Sequence, residues 1–337
     1  MTTVHYATSS NSVRIVLQDL SLDQILKVIG INPKIDNSYK HALTKAFLNH
    51  IPEKGDWEIF LEKAPSIDPD QLKCLLEGLK LLRRNDLSEG EKKWSAAMDR
   101  IVILEMLSKK SKEYNWEEMV PYFVEYLQFL VDQGFDVNHL DGKPELLGSG
   151  CPLHFAAIKG CPAICTALVS LGANVKLSER KEGSAKPLHL AASTGDVETI
   201  KTLIKLGADV NAVIKDDFFS PFFVLGNDSV PLCFAARHPQ VIQILVDNGA
   251  NVNHVCGDYE AHSPLEHTLT NENFEGANIL LQKGANALSS TRALAKKKFN
   301  GLMDKKRKIE NSEGEIQRMK DAYEIKKRLK GNRNRSS

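Results

Sequence analysis

A segment that recurs five times in the second half of the chain constrains the fold more than any other feature, because self-similarity at a period of about 20 to 50 residues indicates stacked repeats. Each copy ends an apolar stretch with a glycine, as in LIKLGADVN and ILVDNGANVN. The five glycines are Gly134, Gly172, Gly207, Gly249 and Gly284, with separations of 38, 35, 42 and 35 residues. A glycine in this place predicts the left-handed residue that closes a helix.

A second pattern precedes four of these glycines, in the segments CPLHFAA, KPLHLAA, VPLCFAA and SPLEHTL. Proline suits the first turn of a helix, where a missing N–H costs nothing. The apolar residues before each glycine recur at i, i+3 and i+4, which is the spacing of one helical stripe. The two patterns together predict a pair of helices in every copy.

This recurrence resembles the ankyrin repeat, whose pattern runs roughly T-P-L-H-x-A-A…LL-x-x-G-A-D-V-N. The resemblance covers residues 116–288, as one partial and four full copies. It implies an extended concave face and projecting fingers that bind proteins, on a scaffold without an active site. The sequence departs from the family at its His position, where Cys233 and Glu266 stand, and we expect altered hydrogen bonds in those later copies. The third copy is also about two residues shorter after Ala236, which predicts a tight turn.

The flanking segments complete an all-α prediction with three parts: a helical N-terminal domain of unknown family at 1–115, the repeats at 116–288, and a basic capping helix and tail at 289–337. Helical spacing and breaks at prolines place five helices in the first part. They are Val13 to Ile29, Tyr39 to Ile51, Asp56 to Lys63, Asp68 to Arg84, and Leu87 to Leu107.

The basic tail stands out because residues 290–337 hold 16 Lys and Arg against 6 Asp and Glu, while the net charge of the whole chain is only +1. Its first part is expected to cover the last repeat, since terminal repeats need a polar outer face. Lys305, Lys306, Arg307 and Lys308 also fit a short nuclear-import signal for an importin-type receptor. Sparse aromatic residues disfavour nucleic-acid binding by this tail.

The longest connection between copies, residues 212–230, is called the Phe-rich finger below. Long ordered loops tend to be functional, so we predict that it contacts a partner. The alternative is that its phenylalanines fold back onto the neighbouring repeat, because exposed Phe clusters are costly. The candidate partner-binding residues are Asp216, Asp217, Phe218, Phe219, Phe222 and Phe223. A second long connection, residues 174–186, is polar and is called the polar finger.

Cysteine and histidine spacing gives no standard metal pattern, so no metal site and no cofactor are predicted. Cys151, His154, Cys161 and Cys165 lie close in sequence, but their places in the repeat suit buried structural positions. The six cysteines are interpreted as reduced thiols. Asn211 sits where similar ankyrin asparagines are hydroxylated by an animal enzyme, which makes it a candidate modification site; the alternative is a local structural role.

These observations favour a scaffold that binds a partner protein over an enzyme. The rivals are an enzyme whose N-terminal half modifies a target held by the repeats, and a nuclear regulator that uses the tail. The absence of a long apolar window and of a signal peptide predicts a cytoplasmic or nuclear protein without a membrane span. Degenerate ankyrin copies behind an unfamiliar helical domain look like effectors that intracellular bacteria secrete into host cells, and this resemblance implies host proteins as partners.

Overall fold

A computed structural model shows a chain built mainly of α-helices, with two small two-stranded sheets. The structure describes residues 3–8, 11–16, 20–31, 36–51, 57–86, 94–112, 114–140, 150–178, 185–215, 219–220, 223–224, 228–256, 262–287, 289–306 and 313–331. The predicted all-α class is confirmed.

Contacts divide the chain into two compact units. The first comprises Met1–Lys143, Cys151–Ala156 and Cys161–Asn174, and the second comprises Pro144–Gly150, Ala157–Gly160 and Val175–Ser337. The predicted domains 1–115, 116–288 and 289–337 follow sequence patterns rather than contacts, and they stay a prediction.

The first unit begins with an antiparallel hairpin of β1 (Thr3–Thr8) and β2 (Asn11–Val16), in which Thr3 pairs with Val16. The prediction of a helix from Val13 was wrong, because Val13 to Val16 pair with β1 and the helix begins only at Leu22. The N-terminal helices of this unit are α1 (Leu22–Ile31), α2 (Asn37–Asn49), α3 (Trp57–Lys63), α4 (Pro69–Asp86), α5 (Trp94–Ser108) and α6 (Trp116–Asp132). Asp68 caps α4, since its carboxylate accepts the Gln71 N–H at 2.8 Å.

Helix α4 is the centre of the first unit and packs against α1, α2, α5 and α6. Its apolar stripe of Leu72, Leu75 and Leu79 is buried. Gly78 of α4 lies close to α2, since an added Cβ would stand 2.8 Å from the Cβ of Thr44. A glycine at this position therefore lets the two helices touch.

Glu105 links the N-terminal helices to the first repeat-like helices within the first unit. This residue of α5 is fully buried, and its carboxylate accepts the N–H groups of Ala163 and Ile164 at 3.2 and 3.0 Å, at the start of α8 (Pro162–Ser170). The Tyr114 hydroxyl donates a third bond to it at 3.1 Å. Burial raises the pKa of Glu105 to about 7, against the opposing effects of Lys109 and the two amides. A side chain from outside the repeat pattern thus caps a helix inside it.

The helical pairs predicted from the repeat are present. Helix α7 (Pro152–Ile158) contributes residues to both units. The later pairs are α9 (Pro187–Thr194) with α10 (Val197–Lys205), α11 (Pro231–Phe234) with α12 (Pro239–Asp247), and α13 (Pro264–Thr270) with α14 (Phe274–Gln282). In the shortened third copy, the first helix ends early and a 3-10 turn, Ala235–Arg237, takes its place. The tight turn predicted there is confirmed.

All five recurring glycines close their helices in the left-handed conformation, with φ between 88° and 96°. In each copy the N–H of the next residue returns to a carbonyl five residues earlier, as from Ala208 to Leu203 at 2.9 Å and from Ala250 to Leu245 at 3.0 Å. This bond satisfies a carbonyl that the helix end would otherwise leave open.

Two further helices, α15 (Ser289–Lys306) and α16 (Glu313–Gly331), pack against each other; α15 also contacts α13, and α16 contacts α14. Helix α15 buries Thr291 and Ala295, and α16 buries Ala322 and Ile325. The predicted basic helix therefore exists as a pair that covers the last helical pair of the second unit.

Candidate interaction surface and cysteine cluster

The base of the Phe-rich finger is closed by backbone pairing. The N–H of Ile214 donates to the carbonyl of Ser229 at 3.0 Å, and the N–H of Asp228 donates to the carbonyl of Ile214 at 2.7 Å. Ile214 and Ser229 are buried. Asp228 has φ 62°, a left-handed conformation that Asp tolerates better than most residues. The two ends of the Phe-rich finger are therefore held together at Ile214 and Ser229.

Inside this segment, β3 (Phe219–Ser220) and β4 (Phe223–Val224) pair antiparallel, with Phe219 opposite Val224. The Phe-rich finger thus contains a short antiparallel hairpin of β3 and β4, which its sequence did not predict. Four of the candidate contact residues, Asp216, Asp217, Phe218 and Phe222, lie outside the described residues.

Asparagine side chains form hydrogen bonds between the connections that follow successive helical pairs. The side chain of Asn211 donates to the carbonyl of Gly249 at 3.0 Å and accepts the N–H of Asn251 at 2.8 Å. Asn138 bonds Gly172 and Asn174 in the same way, and Asn253 bonds Gly284 and Asn286. Both the amide N–H and the amide oxygen of Asn211, the candidate hydroxylation site, are therefore hydrogen-bonded to the connection that follows the next helical pair.

In the second unit, the residue two positions after the proline that begins the first helix of a pair contacts the connection that follows the pair. His189 in α9 is fully buried, and its Nε2 lies 2.9 Å from the carbonyl of Ala212, while its Nδ1 accepts the Lys186 N–H at 3.1 Å. Burial lowers the pKa of His189 to about 4. In α13 the same position is Glu266, whose carboxylate accepts the hydroxyls of Ser290 and Thr291. The expectation of altered bonds in the later copies is confirmed at Glu266.

At this position in α11 stands Cys233, and its sulfur lies 2.6 Å from that of Cys256. Cys256 follows Cys233 by 23 residues, the same offset that separates His189 from Ala212. His267 completes a group of three whose ligand atoms all lie within 4.8 Å of one another. The pKa of Cys256 is lowered to about 5, chiefly by the Cys233 thiol against its sulfur and then by His267. The spacing of residues within one copy could not predict this cluster. The sequence feature that could have indicated it is a cysteine, Cys233, at the position where the family has His.

The cysteines considered in the sequence are all buried. In the first unit Cys151 lies against His154, with 3.1 Å between Sγ and Nδ1, and burial raises the pKa of the Cys151 thiol. Burial also raises the pKa of Cys74 to about 11, so this thiol is protonated at neutral pH and is a poor nucleophile.

The predicted nuclear-import signal lies at and beyond the end of α15. Lys305 and Lys306 are its last two residues, whereas Arg307 and Lys308 lie outside the described residues. Earlier in α15, Lys298 donates to the carbonyl of Thr270 at 3.0 Å and pairs with Glu272 at 3.3 Å. One basic residue of the predicted tail therefore serves the contact between α15 and the last repeat. In the described part of the chain, no helix has both the length and the apolar content needed to cross a membrane.

Comparison with known families agrees with this architecture. A family described as ankyrin repeats matches residues 119–214 as three copies. A search of curated protein sequences finds no match. The helical pairs continue beyond the matched region to Gln282 with the same left-handed glycine closures.

Proposed function

This chain is an ankyrin-repeat protein, and we propose that it holds one partner protein through the Phe-rich finger and the repeats beside it. Ankyrin repeats are a protein–protein interaction module, and their projecting connections and concave face carry the contacts. The observation that carries the finer proposal is the hairpin, which is anchored on the buried Ile214–Ser229 pairing.

The finger suits recognition because it combines a fixed base with an aromatic sequence. Four phenylalanines fall within residues 218–223, preceded by two aspartates. Aromatic side chains dominate the energetic centres of protein interfaces, since they bury large areas at a small entropic cost. Acidic residues beside them favour a partner surface that is apolar at its centre and basic at its rim.

The test compares two matched variants in a pull-down from eukaryotic cell lysate. In one, Phe218, Phe219, Phe222 and Phe223 become Ser; in the other, four residues of the polar finger, Glu179, Arg180, Lys181 and Glu182, become Ser. We expect the first variant to lose the partner and the second to retain it, with both keeping the circular dichroism and melting temperature of the parent. Retention of the same partner by a folded Phe-rich-finger variant would refute the proposal.

A finer proposal concerns the origin of the partner. The unfamiliar helical domain ahead of degenerate repeats supports an effector that acts on host proteins. Parallel pull-downs from bacterial and eukaryotic lysates test this point. Enrichment of a finger-dependent partner from the eukaryotic lysate alone supports it, and enrichment from the bacterial lysate alone counts against it.

A further inference from the structure

Cys233, Cys256 and His267 come from three different elements of the second unit. Cys233 lies on α11, Cys256 lies in the connection after α12, and His267 lies on α13. Two backbone hydrogen bonds between Cys256 and His262, of 2.8 and 2.9 Å, fix the position of Cys256. Stacking of the third and fourth copies therefore brings together three side chains that lie up to 34 residues apart in the sequence.

The chemistry of this cluster is not explained by packing alone. The sulfurs of Cys233 and Cys256 lie 2.6 Å apart, and both residues are at most 2% exposed. Disulfide bonds measure about 2.04 Å, so this separation is longer than a covalent bond, and the two sulfurs are in direct contact. In the other described copies of the second unit, the equivalent position makes an ordinary hydrogen bond instead.

A second observation points to a ligand. The Nε2 atom of His267 is buried and has no hydrogen-bond partner in the described part of the chain. A buried imidazole nitrogen without a hydrogen-bond partner is costly, and a bound ligand is one way to satisfy it. The ligand atoms of His267 and of both cysteines lie within 4.8 Å of one another, close enough to share one ion.

We propose that Cys233, Cys256 and His267 bind one zinc ion that connects the third and fourth repeats. Two thiolates and an imidazole are ligands that zinc prefers over the hard cations Mg²⁺ and Ca²⁺. Zn–S bonds of about 2.3 Å in tetrahedral geometry place two sulfurs about 3.8 Å apart, so the Cys233 and Cys256 sulfurs separate by about 1 Å on binding. A water molecule takes the fourth position, on the side where His267 is partly exposed.

Binding is balanced by proton release. Both cysteines bind as thiolates, and any proton that a thiol still carries passes to solvent. Each thiolate donates a lone pair to Zn²⁺, so the two negative charges and the ion cancel inside the unit. His267 binds as the neutral imidazole through the ring nitrogen that faces the two cysteines. No oxidant or reductant is required.

The proposed zinc site lies close to the base of the Phe-rich finger, but the zinc proposal does not depend on partner binding by that finger. Cys256 follows the turn of His254, whose imidazole bonds the carbonyl of Asp228 at the base of the Phe-rich finger. Zinc would therefore stabilise the connection that supports this base. Loss of partner binding and loss of zinc binding are separate measurements, so either proposal can fail alone.

The test uses the full-length chain, prepared without a polyhistidine tag and kept reduced. Titration with Zn²⁺ should give one ion per chain, unaffected by excess Mg²⁺. Titration with Co²⁺ should give the near-ultraviolet charge-transfer absorption of a two-thiolate site, a readout that needs no variant. Removal of one ligand in Cys233→Ser or His267→Gln should weaken binding at least about 100-fold, since even outer-shell changes cost about 10- to 100-fold.

Cys165→Ala is the matched control, because it removes a fully buried thiol from α8 and leaves the cluster intact. It should bind zinc as the parent does. The proposal is overturned if the reduced parent binds no zinc, if it shows no thiolate charge transfer with Co²⁺, or if folded ligand variants bind as tightly as the parent. Formation of a Cys233–Cys256 disulfide in a chain that binds no zinc when reduced would overturn it as well.

Discussion

His189 shows how a single side chain joins an ankyrin helix to the connection beyond it. Its two ring nitrogens have opposite roles: Nδ1 accepts the Lys186 N–H and Nε2 donates to the Ala212 carbonyl, which requires the neutral ring. Protonation would place a second hydrogen against the Lys186 amide in a fully buried position. The low pKa of about 4 follows from this burial.

This pKa predicts acid sensitivity. The unfolded pKa is 6.5 and the folded pKa is about 4, so between these values only the unfolded chain takes up the proton and stability falls as the pH falls. From pH 7 to pH 5 the contribution of His189 amounts to roughly 2 kcal/mol. Urea unfolding of the parent and of His189→Gln at pH 7 and pH 5 measures this contribution to the free energy of unfolding. The variant should lose about that much less stability on acidification; an equal loss in both proteins would contradict the pKa.

At the scale of elements, a glycine that ends a helix can have two roles: it adopts a positive φ, and it leaves room for a neighbouring side chain. Gly207 and Gly195 have similar φ values of 92° and 83°. An added Cβ at Gly207 meets nothing within 4 Å, whereas at Gly195 it would stand 2.7 Å from Cε1 and 2.9 Å from Cγ of His238. His238 is held there by a 3.0 Å bond to the carbonyl of Ser193.

The two alanine variants should therefore differ. Gly207→Ala should cost about 1–2 kcal/mol, which is the cost of a left-handed Cβ. Gly195→Ala should cost more, because the His238 ring must also move and lose its bond to Ser193. Chemical denaturation of both variants checks the order, and equal losses would show that the His238 contact has no energetic weight.

The sequence predicted the helical pairs because every determinant is local: proline at the start, an apolar stripe, and glycine at the end. It failed at the β1–β2 hairpin, where Val13 to Val16 also fit a helical pattern and the outcome depends on pairing with Thr3–Thr8. It also missed Glu105, since no local pattern shows that a residue of α5 caps α8. The Cys233–Cys256–His267 cluster depends on repeat stacking, which spacing within one copy does not encode.

At the scale of the whole molecule, a repeat array needs a closed end, because each repeat buries its apolar face only against a neighbour. Helices α15 and α16 supply that cover for α13 and α14. Their buried side is apolar at Ala295, Ala322 and Ile325, while α16 exposes Glu324, Lys327 and Arg328. The basic composition of the tail is thus partly explained as the solvent face of a cap.

Stepwise truncation tests this role. A chain that ends at residue 312 lacks α16 and uncovers the side of α14, and a chain that ends at residue 288 also loses Ser290 and Thr291, the donors to the buried carboxylate of Glu266. Because stability in a repeat array depends on neighbouring interfaces, the melting temperature should fall in two steps, with the larger fall for the shorter chain. Thr291→Val removes one hydrogen-bond donor to Glu266 and keeps the helix, so its melting temperature should lie between those of the parent and the shorter chain. Unchanged melting of the chain that ends at 288 would show that the repeats are closed without these helices, and the tail would then be free for a separate task.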